Sequence, residues 1–151
     1  MQEKADTKLQ IRRMMAQDIS QVAEMEAANF YMPWSEKAFY EQLSNRNAIY
    51  MVAELDEKIV GVCGFMESFG EADIYNVSVD ESHRNAGIAS SMLETMLKEG
   101  IARGITAYTL EVRAGNVAAI RLYEKLGFVA EGIRPGFYDK PKEDALIMWK
   151  R

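Results

Sequence analysis

The stretch Ile74-Tyr75-Asn76-Val77-Ser78-Val79, Asp80-Glu81-Ser82-His83, Arg84-Asn85-Ala86-Gly87-Ile88-Ala89-Ser90-Ser91 decides the fold. Its first six residues are rich in β-branched and aromatic side chains and read as a strand. The polar tetrapeptide is a break. Beyond it Ile88, Ala89, Met92, Leu93, Met96, Leu97 and Ile101 recur at i, i+1, i+4 and i+5, with Thr95, Lys98, Glu99 and Arg103 opposite. That spacing predicts an amphipathic helix, closed by Gly104. A strand, a turn of small residues and a helix start form a cradle for an anion. The first N–H groups of a helix have no intrahelical partner, and the macrodipole favours negative charge there. Gly87 lacks a Cβ, so a phosphate can approach its backbone, and Arg84 offers a guanidinium fork. A pyrophosphate site is expected at residues 85–90, over Asn85, Ala86, Gly87, Ile88, Ala89 and Ser90.

Downstream, residues 107–112 alternate as a strand. A helix separates them from 74–79, so the two strands are expected to be parallel, with a right-handed crossover. Asn116 can cap a helix carrying Val117, Ile120, Leu122, Tyr123 and Leu126, with Gly127 ending it. Residues 128–133 read as a strand, 134–136 as a break and 144–149 as a last strand. Upstream, residues 9–14 read as a strand. Asp18 is placed as the cap of a helix running to about Phe30. Pro33-Trp34-Ser35 breaks the pattern, and Ser35 caps a helix with Ala38, Phe39 and Leu43 on one face. Residues 49–55 and 59–66 are too close for a crossover and predict an antiparallel hairpin. The order is βααβββαβαββ. It implies an α/β fold with a mixed, mostly antiparallel sheet of about seven strands and four helices on both faces.

The whole chain of 151 residues suits one core, expected over residues 9–151 behind a fraying tail at 1–8. That tail is polar and resembles neither a signal nor a transit peptide. No apolar run is long enough for a membrane span, so no membrane partner is expected. One cysteine, Cys63, excludes an intrachain disulfide, and the default location is the cytoplasm. The formal charge of -5 argues against direct nucleic-acid binding and suits a basic partner. His83, the single histidine, is read as exposed in a polar loop, and no metal site is expected around it. Cys63 is read as an inert core residue.

Three residues stand out for chemistry. Glu111 lies near the carboxyl end of the 107–112 strand, where open α/β sheets bind ligands, in a half-buried position suited to a base. A carboxylate turned to solvent or paired with Arg113 is the competing reading. Tyr123 and Asn116, seven residues apart, share a helix face. A core aromatic and a helix cap are their alternative readings. The cradle itself is equally compatible with a tight turn that needs small side chains.

The segment Val77-Ser78-Val79 with Arg84-Asn85-Ala86-Gly87-Ile88-Ala89 resembles the acetyl-CoA motif of the GNAT superfamily of N-acetyltransferases. Leu110-Glu111-Val112-Arg113, Asn116, Ala119-Ile120, Leu122-Tyr123-Glu124 and Leu126-Gly127-Phe128 narrow the likeness to RimI-type N-terminal acetyltransferases. Pro33-Trp34-Ser35, Gly132-Ile133-Arg134, Tyr138 and Glu143-Asp144-Ala145 agree. Where the family has two adjacent tyrosines, this chain has Phe137-Tyr138. The resemblance implies acetyl transfer from acetyl-CoA, without metal, to the N-terminal alanine of ribosomal small-subunit protein 18. It implies Glu111 as general base and Tyr123 as general acid. It implies that the backbone of Val77, Ser78 and Val79 pairs with the pantetheine arm, that residues 85–90 hold the pyrophosphate and that Asn116 contacts the cofactor. Tyr31, Trp34 and Tyr138 are expected to line the groove for the peptide of a basic ribosomal protein, bound by a monomer or weak dimer. Acetylation of other N-termini or small amines is the alternative within the enzyme class, and a non-catalytic acyl-CoA sensor the alternative outside it.

Overall fold

A computed structural model describes residues 8–151, so the expected tail over 1–8 lies, Lys8 apart, outside the described residues. In chain order the elements are β1 (Leu9–Arg13), α1 (Ile19–Asn29), α2 (Glu36–Leu43), β2 (Ala48–Leu55), β3 (Lys58–Ser68), β4 (Glu71–Val79), α3 (Ile88–Ala102), β5 (Ala107–Arg113), α4 (Val117–Lys125), β6 (Val129–Tyr138) and β7 (Glu143–Lys150). The seven strands form one sheet in the order β1-β2-β3-β4-β5-β7-β6. Only β4 and β5 run parallel. The α/β order expected from the sequence is therefore the observed one. Alternation along β2 shows how two cores share one sheet: Ile49, Met51 and Ala53 pack with α3 and α4, while Ala48, Tyr50 and Val52 pack with α1 and α2. No helix among the described residues is long and apolar enough to cross a membrane.

Two features position the site. The first is a bulge. Val62 pairs with Ser78 but Gly64 pairs with Tyr75, so Cys63 of β3 faces two residues of β4, Asn76 and Val77. Asn76 takes the left-handed conformation, φ 60°. A bulge bends its strand and sharpens its twist. The second follows from it. The parallel pair is joined only over Glu71–Asp73 and Ala107–Thr109, although both strands continue. Past Asp73 and Thr109 β4 and β5 separate and open a gap in the sheet.

Several local expectations need correction. Asp18 stands before α1 but does not cap it. Its carboxylate accepts both arms of the Arg12 fork at 2.8 Å and the Met15 N–H at 2.7 Å. Charge-assisted bidentate bonding outcompetes a neutral cap. Leu43, Ile101 and Val117 are exposed near their helix ends, and Gly100 takes the buried place in the last turn of α3. The 134–136 break is a kink within β6, with a register shift between Arg134 and Tyr138 and Gly136 at φ 60°. β6 is an edge strand, where Pro135 has no inner ladder bond to lose. His83 is half-buried, its Nδ1 lying 2.8 Å from Asp80 Oδ2.

Candidate active site

The cradle is built by backbone. Asn85 and Gly87 both take positive φ, 65° and 78°, and such turns aim successive N–H groups outward. No side chain caps α3, and its first intrahelical bond runs from Ser91 N–H to the Gly87 carbonyl. The N–H groups of Ile88, Ala89 and Ser90 therefore have no partner among the described residues. Open space surrounds Gly87: a Cβ built there would meet nothing within 4 Å. Uncapped N–H groups beneath open space fit a diphosphate. The Ser90 hydroxyl turns back to donate to Glu94 at 3.0 Å, leaving the backbone as the donor surface.

The end of β4 is held from α1. Asn29 donates to the Ser78 hydroxyl at 2.5 Å and to the Val79 carbonyl at 3.1 Å. Arg84, expected to offer its fork to a phosphate, uses it here. It donates to Asn29 Oδ1 at 2.8 Å and to the Val79 carbonyl at 3.3 Å. Ser78 is buried, whereas Val77 and Val79 are half-buried beside the gap. Asn116 caps α4 by accepting the Ala119 N–H at 3.2 Å, and its amide NH2 has no partner among the described residues.

Glu111 and Tyr123 sit on opposite faces of the sheet. Leu110, Val112 and Tyr123 belong to one core, so by strand alternation Glu111 points to the other side. The two faces communicate through the gap. Glu111 is half-buried, with Oε2 only 2.5 Å from Arg134 Nε. Arg113, the other candidate partner, instead meets Glu143 at 3.2 Å and stacks 4.4 Å from the Tyr138 ring. Burial raises the phenol pKa of both Tyr138 and Tyr75, and the Glu111 charge adds to each rise. Tyr123 is 6% exposed, its ring 5.9 Å edge-on from Phe128. Burial also raises its phenol, with smaller contributions from Cys63 and Tyr138, so it stays protonated at neutral pH. Its hydroxyl has no hydrogen bond among the described residues. Burial pushes the Cys63 thiol up to about 12, which keeps it from acting as a nucleophile.

The acceptor side is aromatic. The Trp34 ring lies 5.3 Å from Phe39, 5.9 Å from Tyr50 and 6.3 Å from Tyr75. Tyr31 is 62% exposed and accepts a hydrogen bond from Lys140 Nζ at 2.9 Å. That contact joins the α1–α2 loop to the β6–β7 turn. The structure thus groups Trp34 with Tyr75, and Tyr138 with Glu111, and leaves Tyr31 at the rim. Sequence reasoning missed Glu26, Asn29, Tyr75, Asn76 and Arg134. Two of these left a trace: Glu26 interrupts the apolar arc of α1 four residues after Val22, and Asn76 interrupts a β-branched run.

Residues 19–128 match the family model described as the acetyltransferase (GNAT) family. A Bacillus subtilis protein, provisionally named as a ribosomal protein bS18-alanine N-acetyltransferase, is 35% identical over 144 residues, 95% of each chain. The Escherichia coli ribosomal protein bS18-alanine N-acetyltransferase is 38% identical over 120 residues, 77% of this chain and 79% of its own. A crystal structure of that activity's enzyme from Escherichia coli shares the fold at TM-score 0.87 and 30% identity, covering 95% of this chain and 93% of that one.

Proposed function

The chain belongs to the acetyltransferase (GNAT) family, and from that premise we propose that it acetylates the N-terminal alanine of ribosomal small-subunit protein 18. Residues 9–151 act as one catalytic domain. The observation that supports the reading is that Glu111 and Tyr123 lie on opposite faces of a sheet whose β4–β5 pairing ends after three residues, with the uncapped start of α3 following β4. A binding module needs the cradle but neither of those two side chains.

Acetyl-CoA supplies the activated acetyl thioester. The N–H groups of Ile88, Ala89 and Ser90, with the backbone of Asn85, Ala86 and Gly87, hold its pyrophosphate. Val77, Ser78 and Val79 offer backbone groups to the pantetheine arm, and the Asn116 amide offers a donor. Arg84 reaches this end of the site through Asn29. Trp34, Tyr138 and Tyr31 line the peptide groove. Glu111 takes a proton from the amine, directly or through water, exchanging Arg134 for the incoming ammonium. The neutral amine nitrogen bonds to the acyl carbon, the carbon–sulfur bond breaks, and the second proton shed by the nitrogen replaces the one that Tyr123 gives to sulfur. Tyr123 donates to the departing sulfur.

Acceptor choice follows from proton chemistry. An α-amine has a pKa of about 8 and a lysine amine about 10.4, so a lysine adds about 3.3 kcal/mol of deprotonation work. A half-buried carboxylate suits the easier acceptor. The net charge of -5 suits a basic peptide. The test is a panel of peptides beginning with Ala, Ser, Met or Gly, set beside a lysine side-chain substrate and read by mass spectrometry. Preference for the Ala peptide is expected; preference for lysine would overturn the N-terminal reading.

A further inference from the structure

We propose that Glu26 and Asn29, on one face of α1, are positioning residues that set the two halves of the active-site gap separately, Glu26 the acceptor half and Asn29 the cofactor half. The proposal rests on the reading of the site given above. Residues three apart on a helix are neighbours on its surface. Both of these turn to β4: Glu26 grips the bulge itself at Asn76, and Asn29 grips the strand just past it at Ser78 and Val79.

Glu26 is 3% exposed. Its Oε2 accepts from Asn76 Nδ2 at 2.9 Å and from the Trp34 N–H at 3.4 Å. The Tyr50 hydroxyl completes the set by donating to Asn76 Oδ1 at 2.7 Å. One carboxylate therefore ties together the left-handed residue of the bulge and the loop that carries Trp34. Asparagine tolerates that conformation less readily than glycine, so these bonds hold the bulge in place. The bulge in turn fixes Tyr75, its preceding residue, whose ring faces Trp34 and lies within the field of Glu111. Glu26 Oε1 is buried without a partner among the described residues. A structural strut would gain from an amide or an apolar side chain here, because an unmatched buried carboxylate oxygen is destabilising. Asn29 does the corresponding work three residues on. Its amide holds Ser78 and Val79, and its oxygen holds Arg84, the residue that leads into the cradle.

The two residues should separate in kinetics. Loss of hydrogen bonds to a carboxylate costs about 10- to 100-fold in the property they support. Glu26→Ala is expected to raise the KM for an Ala-starting peptide at least tenfold and to lower kcat, with acetyl-CoA Kd by calorimetry within about twofold. Glu26→Gln keeps an acceptor oxygen for Asn76 and Trp34 and should return both constants to within about threefold. Asn29→Ala should weaken acetyl-CoA about tenfold and leave peptide KM within about twofold. Adding Asn76→Gly to Glu26→Ala lets the bulge form without the carboxylate and should recover most of the lost kcat/KM. Equal effects of Glu26→Ala and Asn29→Ala on acetyl-CoA Kd would overturn the division, as would no recovery in the double variant. If wild-type protein acetylates no N-terminal peptide, the proposed activity fails. The contrast in acetyl-CoA affinity between the two α1 variants still decides the proposal, since calorimetry needs no turnover. Urea midpoints report whether each variant folds.

Discussion

Replacing Tyr123 by Phe removes one hydroxyl from the α4 face of the sheet, and its burial sets the size of the effect. The phenol is raised above its ordinary value of about 10 by burial. The leaving sulfur resembles a thiol of pKa about 8.5. Full proton transfer from Tyr123 to sulfur is therefore uphill by at least about 1.5 units, or about 2 kcal/mol. In the proposed role its contribution is a hydrogen bond to developing negative charge, worth about 1.5–3 kcal/mol. That range predicts a fall in kcat of about 10- to 150-fold. The hydroxyl has no partner among the described residues and the ring packs on Phe128, so Phe should change stability by less than about 0.5 kcal/mol. Single-turnover acetylation of an Ala-starting peptide measures the chemical step. Calorimetry with acetyl-CoA and urea unfolding supply the two controls. A kcat within threefold of wild type, in a variant that binds acetyl-CoA normally, would refute the assignment of Tyr123 as the acid.

Glu111→Gln should lower kcat by about 10²- to 10⁴-fold, as for loss of a general base, with acetyl-CoA affinity unchanged in calorimetry. Gly100→Ala tests packing. A Cβ there falls 1.8 Å from the Tyr108 hydroxyl, which donates to the Leu97 carbonyl at 3.0 Å. Ala gains about 1 kcal/mol in helix propensity, but overpacking and the lost bond cost about 2–4 kcal/mol, so a lower urea midpoint is expected. Asp18 predicts acid sensitivity. Its burial favours the neutral form, but the Arg12 fork and the Met15 N–H outweigh burial and hold the carboxyl below its ordinary value. A folded pKa below the unfolded one gives stability that is complete above about pH 4 and lost as pH falls through the folded value. Asp18→Asn should therefore cost about 1.5–3 kcal/mol at pH 7, and the difference from wild type should shrink in unfolding curves taken on acidification.

What was legible in the sequence depended on local physics. The stripe of α3, the β2–β3 hairpin and the caps at Ser35 and Asn116 follow from neighbours within a few residues, and the parallel β4–β5 pair from the single helix that joins its strands. Both caps accept the predicted kind of bond, at 3.1 and 3.2 Å. The unreadable parts are long-range. Glu26 is fifty residues from Asn76, so the interruption at Asn76 could be seen in the sequence but the buried partner that holds it left-handed could not. Arg134 reaches Glu111 because β7 lies between their strands, and no local pattern announces that pairing. Asp18 failed as a cap because Arg12, on the preceding strand, offered it a stronger partner. Around the proposed site, the turn and helix start at 85–90 were the most readable geometry, since small residues before an apolar stripe are a local pattern.

The placement of Glu111 and Tyr123 on opposite faces explains why the site lies where it does. A hydrogen-bonded sheet separates its two faces, and a base on one cannot serve a leaving group on the other. β4 and β5 break that barrier, because they pair for three residues and then diverge. In the proposed reaction the gap would let one thioester be reached from both sides, by an amine from the aromatic face with Trp34 and Tyr75 and by a proton from the α4 face with Tyr123. The two environments differ as the chemistry requires. Glu111 is half-buried and ion-paired with Arg134, a partner that an incoming ammonium would replace in the proposed reaction. Tyr123 is buried in the core, and burial raises its phenol, which keeps a proton available for the sulfur in the proposed reaction. The bulge at Asn76 sits where β4 leaves β5, between the residues that face the acceptor and those that face the cofactor. Holding that one residue from α1 therefore governs how the two reactants meet.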